Sequence, residues 1–192
     1  MKRVLAVIIS AALLFGAYWF FFSKQSRASG PKQQAIKIGK HSDAFNKSVL
    51  ACTGAYLVMK DAFVGGDTLK IKSESQQFIQ AVGNLQMGEL KKDDSTILMA
   101  SQQEVSDIRV NAEAILMEKD LQEMRQDFRM VSENLYPFLK TIAYQGPRLY
   151  WLNCPNAFGE NMEGTWLSDT AAIINPYLGA TQPPCSETKD SL

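Results

Sequence analysis

Histidine is almost absent from this chain, and its absence removes much of enzyme chemistry. His41 is the only one. It sits in a basic linker, where a surface histidine is expected, and it provides neither an HExxH zinc site nor a His-based triad. No nucleotide-binding glycine loop, internal repeat or low-complexity tract occurs. Carboxylates fall mostly on polar helix faces, and no pair is set among apolar residues as glycoside chemistry needs. The only cysteines are Cys52, Cys154 and Cys185, and no two form a C-x-x-C pair, which argues against a thiol-redox enzyme. Net charge is absent too. Twenty basic side chains balance twenty acidic ones, so the basic excess of a nucleic-acid binder is missing. No enzyme and no nucleic-acid partner is expected.

What is present begins with a long apolar run. After Met1-Lys2-Arg3, residues 4–22 (VLAVIISAALLFGAYWFFF) carry no charge. That length suffices to cross a bilayer and exceeds the usual core of a cleaved signal peptide. Tyr18, Trp19, Phe20, Phe21 and Phe22 stand where an interfacial belt would lie. An uncleaved anchor in the inner membrane is the favoured reading. The alternative is cleavage near Ser26-Arg27-Ala28, which leaves a secreted or periplasmic protein. In both, the remainder of the chain is exported. Lys2 and Arg3 favour a cytoplasmic N-terminus, whereas Lys24 and Arg27 oppose that bias.

Charge is also unevenly placed. Residues 23–48 hold Lys24, Arg27, Lys32, Lys37, Lys40 and Lys47 against Asp43 alone. Beside a membrane such a segment reads as a solvated, lipid-facing tether. After residue 149 the balance turns acidic, with Glu160, Glu163, Asp169, Glu187 and Asp190 against Lys189.

Residues 23–42 read as a basic linker containing Ser29-Gly30-Pro31. Helical periodicity starts after it. Phe45, Val49, Cys52, Tyr56, Met59 and Phe63 form one apolar stripe, opened by Ser42 or Asp43 and closed at Gly65-Gly66. Asp67 or Thr68 opens a second helix carrying Ile71, Phe78, Val82 and Leu85. Asp94 or Ser95 opens a third, carrying Leu98, Val105, Ile108, Ala112 and Ile115. A break at Lys119-Asp120 leads to the strongest stripe, Leu121, Met124, Phe128, Val131, Leu135, Phe138 and Ile142. Pro137 should kink its last turns. The expected fold is all-α. An antiparallel four-helix bundle over residues 43–146 is preceded by the membrane helix at 1–22. An irregular Cys/Trp-containing segment, 147–187, packs on the bundle, and 188–192 form a polar tail. Residues 149–152 can be extended, and Ser168-Asp169 reads as the cap of a short helix running to Ile174.

The candidate chemistry lies in that segment. Pro155 suits a first helical position, which would set Cys154 at a helix N-terminus where a thiolate is stabilised. Cys154 and Cys185 as thiolates with Met162 as thioether would suit Cu(I) or Ag(I). Trp166 could cover the ion with its ring face. The competing reading is a Cys154–Cys185 disulfide tying the tail to the domain, with Met162 and Trp166 as ordinary packing. Cys52, on the first apolar stripe, reads as a buried small residue rather than a functional thiol.

Three stretches carry a resemblance: AYLVMKDAFVGGD, DLQEMRQDFRMVSENL and CPNAF…TWLSDTAAIINPYLG…C. Together they resemble a bacterial exported domain of uncharacterised function. That domain occurs alone or appended to periplasmic adaptor subunits of copper and silver efflux pumps. The resemblance spans roughly residues 43–187. It implies a soft-metal context, with metal-efflux components or another envelope protein as partner. The family pattern has Cys-Pro-Met where Cys154-Pro155-Asn156 stands here. It often has a methionine before the late cysteine, where this chain has Gln182-Pro183-Pro184.

Overall fold

The structure, a computed structural model, describes residues 40–171, 174–180 and 185–192. The anchor expected at residues 4–22 lies outside the described residues. Four long helices come first: α1 (Asp43–Gly65), α2 (Thr68–Gly83), α3 (Ser95–Met117) and α4 (Leu121–Thr141). A 3-10 turn, Met87–Lys92, joins α2 to α3. Three short strands follow: β1 (Tyr150–Cys154), β2 (Gly164–Ser168) and β3 (Glu187–Ser191).

Each helix starts where its sequence satisfies the free N–H groups of the first turn. The Ser42 hydroxyl accepts from the Phe45 N–H at 3.3 Å. The Asp67 carboxylate accepts from Leu69 and Lys70. Asp94 does the same for Thr96, and Asp120 for Gln122 and Glu123. α1 stops at Gly66, whose φ of 73° places it in the left-handed region while its N–H returns to the Ala62 carbonyl. α4 runs through Pro137 and ends at Thr141.

The expected stripes form the core. Cys52, Tyr56, Met59, Phe63, Phe78, Ile108, Phe128, Val131, Leu135 and Phe138 are all essentially inaccessible to water. α1 packs on α2, α2 on α3, and α3 on α4. Phe128 of α4 stacks on Tyr56 of α1 at 5.4 Å and packs against Phe63 at 4.5 Å, which joins the first helix to the last. Among the described residues α1 is long and apolar enough, by length and composition, to cross a membrane. Its apolar stripe is the side that faces the other helices.

The all-α expectation does not hold. Residues 150–191 contribute a three-stranded antiparallel sheet of order β2-β1-β3. Leu152 pairs with Trp166 on one side of β1 and with Thr188 on the other. Residues 149–152 are extended, as expected. β3 draws the polar tail into this sheet, and Leu149 and Leu192 exchange two backbone hydrogen bonds. Among the described residues no helix follows Ser168, which instead ends β2. Helical period could not foresee the sheet, because β3 (ETKDS) is an exposed edge strand with no apolar alternation.

His41 also departs from its expected surface position. It is only 5% exposed and stacks on Phe45 at 4.6 Å. Its Nε2 lies 3.8 Å from the buried Asp93 carboxylate. The chain is already pressed onto the 3-10 turn there, since the Ser42 N–H donates to Glu89 Oε1.

Sheet and helices are joined by a buried hydrogen-bond chain. The Leu167 N–H donates to Tyr56 Oη at 3.1 Å. Tyr56 Oη and Ser132 Oγ are 2.7 Å apart, and the Ser132 hydroxyl donates to the Phe128 carbonyl at 2.9 Å. Each hydroxyl therefore accepts one bond and donates the next, coupling β2 to α1 and α4. Tyr56→Phe should destabilise the protein by about 1–3 kcal/mol, because it leaves the buried Leu167 N–H without an acceptor. Urea unfolding of the two proteins measures this difference.

Candidate functional site

Cys154 ends β1 and is fully buried, so Pro155 follows a strand and not a helix start. β1 is extended because Leu152 and Cys154 alternate with Trp151 and Asn153, and both edges of the strand find partners. Cys154 and Cys185 form a disulfide, with Cα atoms 5.2 Å apart across a sequence separation of 31. Both sulfurs are bonded to each other in this state and offer no thiolate.

The other two candidate ligands stand apart in character. Met162 is half exposed, in the loop joining β1 to β2. That loop is ordered by its own backbone: Phe158 N–H donates to the Met162 carbonyl, and Met162 N–H to the Gly159 carbonyl. Trp166 is completely buried. It meets Tyr177 edge-on at 5.7 Å, which makes it a packing residue of the sheet. Among the described residues no three His, Cys, Asp or Glu side chains are grouped to hold a metal ion.

The motif INPYLG has an internal role that sequence reading missed. Asn175 Oδ1 accepts from the Tyr177 and Leu178 N–H groups. Its Nδ2 donates 2.9 Å to the Cys185 carbonyl. Pro176 presents its carbonyl to Arg125 Nε at 3.1 Å. Arg125 is buried, and desolvation pulls its guanidinium below the ordinary arginine value. Tyr177 enters the core beside Phe128, Phe158 and Trp166, and its hydroxyl donates to the Thr165 carbonyl. Gly164 makes room for it. A Cβ there would lie 2.7 Å from the Tyr177 ring and from Ala157. The turn residues had marked a loop. The buried arginine behind it is 51 positions from Pro176 and carries no local signal.

The tail is pinned as firmly. Asp190 accepts from the Tyr136 hydroxyl and from Lys140 Nζ, and these donors hold its carboxyl well below the usual range. Trp151 stacks on Tyr136 at 4.4 Å with ring planes 7° apart. Cys52 is the one free cysteine, and burial pushes its thiol up to about 12, which leaves it unreactive.

Residues 52–145 match the family DUF3347, described as a protein of unknown function. The match spans most of α1 and all of α2, α3 and α4. It stops before the strands, so the disulfide and the INPYLG loop lie beyond it. No curated protein and no solved structure matches the chain.

Two predictions test these contacts. Replacing both sulfurs, Cys154→Ser with Cys185→Ser, should cost about 2–4 kcal/mol in denaturant unfolding, through the freed loop in the unfolded chain. The second concerns charge. Burial, then Glu118 and Glu123, push the Asp127 carboxyl up to about 6. The folded chain therefore keeps this proton longer than the unfolded one, whose carboxyl releases it near about pH 4. Stability falls as pH rises from about 4 to about 6 and stays lower above. Asp127→Asn should be more stable at pH 7 by up to about 1 kcal/mol, given solvent screening of this partly exposed group. The gain should vanish near about pH 4, as chemical unfolding at the two pH values would show.

Proposed function

We propose that this chain is a non-catalytic, membrane-tethered module of the cell envelope that acts by docking on another envelope protein. Residues 4–22 would hold it in the inner membrane, with the helices and sheet in the periplasm. The observation that carries this reading is the Cys154–Cys185 disulfide. It uses the two strongest candidate metal ligands to fasten β1 to the segment before β3. A disulfide of this kind suits an exported, oxidising location. Trp166 and Tyr177, the other prominent residues of the segment, are spent on internal packing.

A second reading has one specific support. Reduction would free two thiols whose Cα atoms are 5.2 Å apart. Such a pair could bind Cu(I) or Ag(I), with Met162 recruited from the neighbouring loop and Trp166 beside it. The chain would then be an accessory protein of metal efflux or homeostasis, as its resemblance to efflux-associated domains implies.

Thiol counting with native mass spectrometry separates the two. The chain is exported to a periplasm in copper-supplemented cells and alkylated before and after denaturation. The docking reading expects a metal-free protein with one disulfide, whose Cys52 alkylates only after denaturation. Copper bound to a protein with Cys154 and Cys185 both reduced overturns it in favour of the metal module.

A further inference from the structure

Exposed bases gather at one end of the helical unit, and acids outnumber bases at the other. At one end the start of α1, the 3-10 turn and the end of α4 converge. Gln86 N–H donates to Ser48 Oγ at 3.2 Å, and Asn46 Nδ2 to Gln145 Oε1 at 3.4 Å. Five exposed bases surround this end: Lys40, Lys47, Lys91, Lys92 and Arg148. Four acids, Asp43, Glu89, Asp93 and Asp94, share this end. Glu89 pairs with Lys92, which pulls its carboxyl down. Asp93 is buried beside His41, and Asp94 caps α3. Asp43 remains exposed, in the first turn of α1.

The opposite end is acidic. The turns joining α1 to α2 and α3 to α4 lie together there, since Lys72 Nζ donates to the Leu116 carbonyl at 2.8 Å. Asp67, Glu118, Asp120, Glu123 and Asp127 gather around these turns. Lys119 and Lys70 are the exposed bases among them, and the raised Asp127 carboxyl reflects the acidic crowding.

The chain reaches the described unit through Lys40, at the basic end. Residues 23–39 before it hold Lys24, Arg27, Lys32 and Lys37 and no acid. We infer that the basic end, formed by Lys40, Lys47, Lys91, Lys92 and Arg148, is a docking surface for anionic phospholipid headgroups. The acidic end then points away from the bilayer. This inference rests on the membrane-tether reading above. Bases near an anionic surface each contribute to attraction, and their contribution decays within a Debye length, so the contact is short-ranged and salt-sensitive. The arrangement would present the far turns, and not the linker end, to a partner.

The test uses the full chain reconstituted in vesicles, with a fluorophore on a cysteine introduced by Gln86→Cys or by Lys119→Cys. A quencher is attached to the lipid headgroups. On vesicles about one-third phosphatidylglycerol, the Gln86→Cys label should be quenched at least about threefold more than the Lys119→Cys label. The contrast should disappear on neutral phosphatidylcholine and at about 0.5 M salt. It should also disappear in the variant Lys47→Glu with Lys91→Glu and Lys92→Glu. The lipid comparison needs no charge reversal, so it stands even if that variant folds poorly. Equal quenching of the two labels on anionic vesicles overturns the docking surface while leaving the tether intact. Release of the chain from vesicles at about 1 M salt overturns the tether itself.

Discussion

The Tyr56 hydroxyl is the constraint on which the rest of this structure depends. It accepts from a strand N–H and donates to Ser132, whose own hydroxyl ends on a helix carbonyl. All of these atoms are buried, so none can exchange its partner for water without the cost of desolvation. The chain therefore fixes the position of β2 against α1 and α4. Phe78 and Phe128 pack on the same ring, Phe63 packs on Phe128 in turn, and the aromatic packing and the hydrogen bonds specify a single arrangement.

With β2 held, the remainder of the C-terminal segment can be built on it. β1 pairs with β2 and then supplies its second edge to β3. β3 is charged and exposed, and it would have little reason to stay without outside ties. Three ties exist. The disulfide restrains its approach, Asp190 is clamped by Tyr136 and Lys140, and Leu149 locks with Leu192. Asn175, Arg125 and Tyr177 secure the intervening loop. The cysteines belong to this set of fasteners, which is why the segment richest in soft and aromatic side chains is also the most internally occupied.

The helices were legible because their information is local. Ser42, Asp67, Asp94 and Asp120 each stand where a side-chain acceptor meets free N–H groups two or three residues on. The apolar stripes repeat within one turn or two. The sheet was not legible beyond residues 149–152. β2 is buried on both faces and shows no alternation, and β3 is polar throughout. His41 misled for a similar reason. A basic linker suggests solvent, but contact with Phe45 and Asp93 depends on the 3-10 turn that the chain reaches more than forty residues later.

Four helices, their starts and most of their buried faces follow from local sequence, because capping and periodicity act over a few residues. Two of the C-terminal limits do not, since the second helix ends at Gly83 and the fourth at Thr141, short of the glycines expected to end them. Which fate Cys154 takes was open in sequence, where a thiolate, a ligand and a half-cystine look alike. Folding settles it, as a Cys154–Cys185 disulfide. A disulfide needs two Cβ atoms brought within bonding reach, and that proximity is set by strand pairing and by the Asn175 loop, not by spacing along the chain.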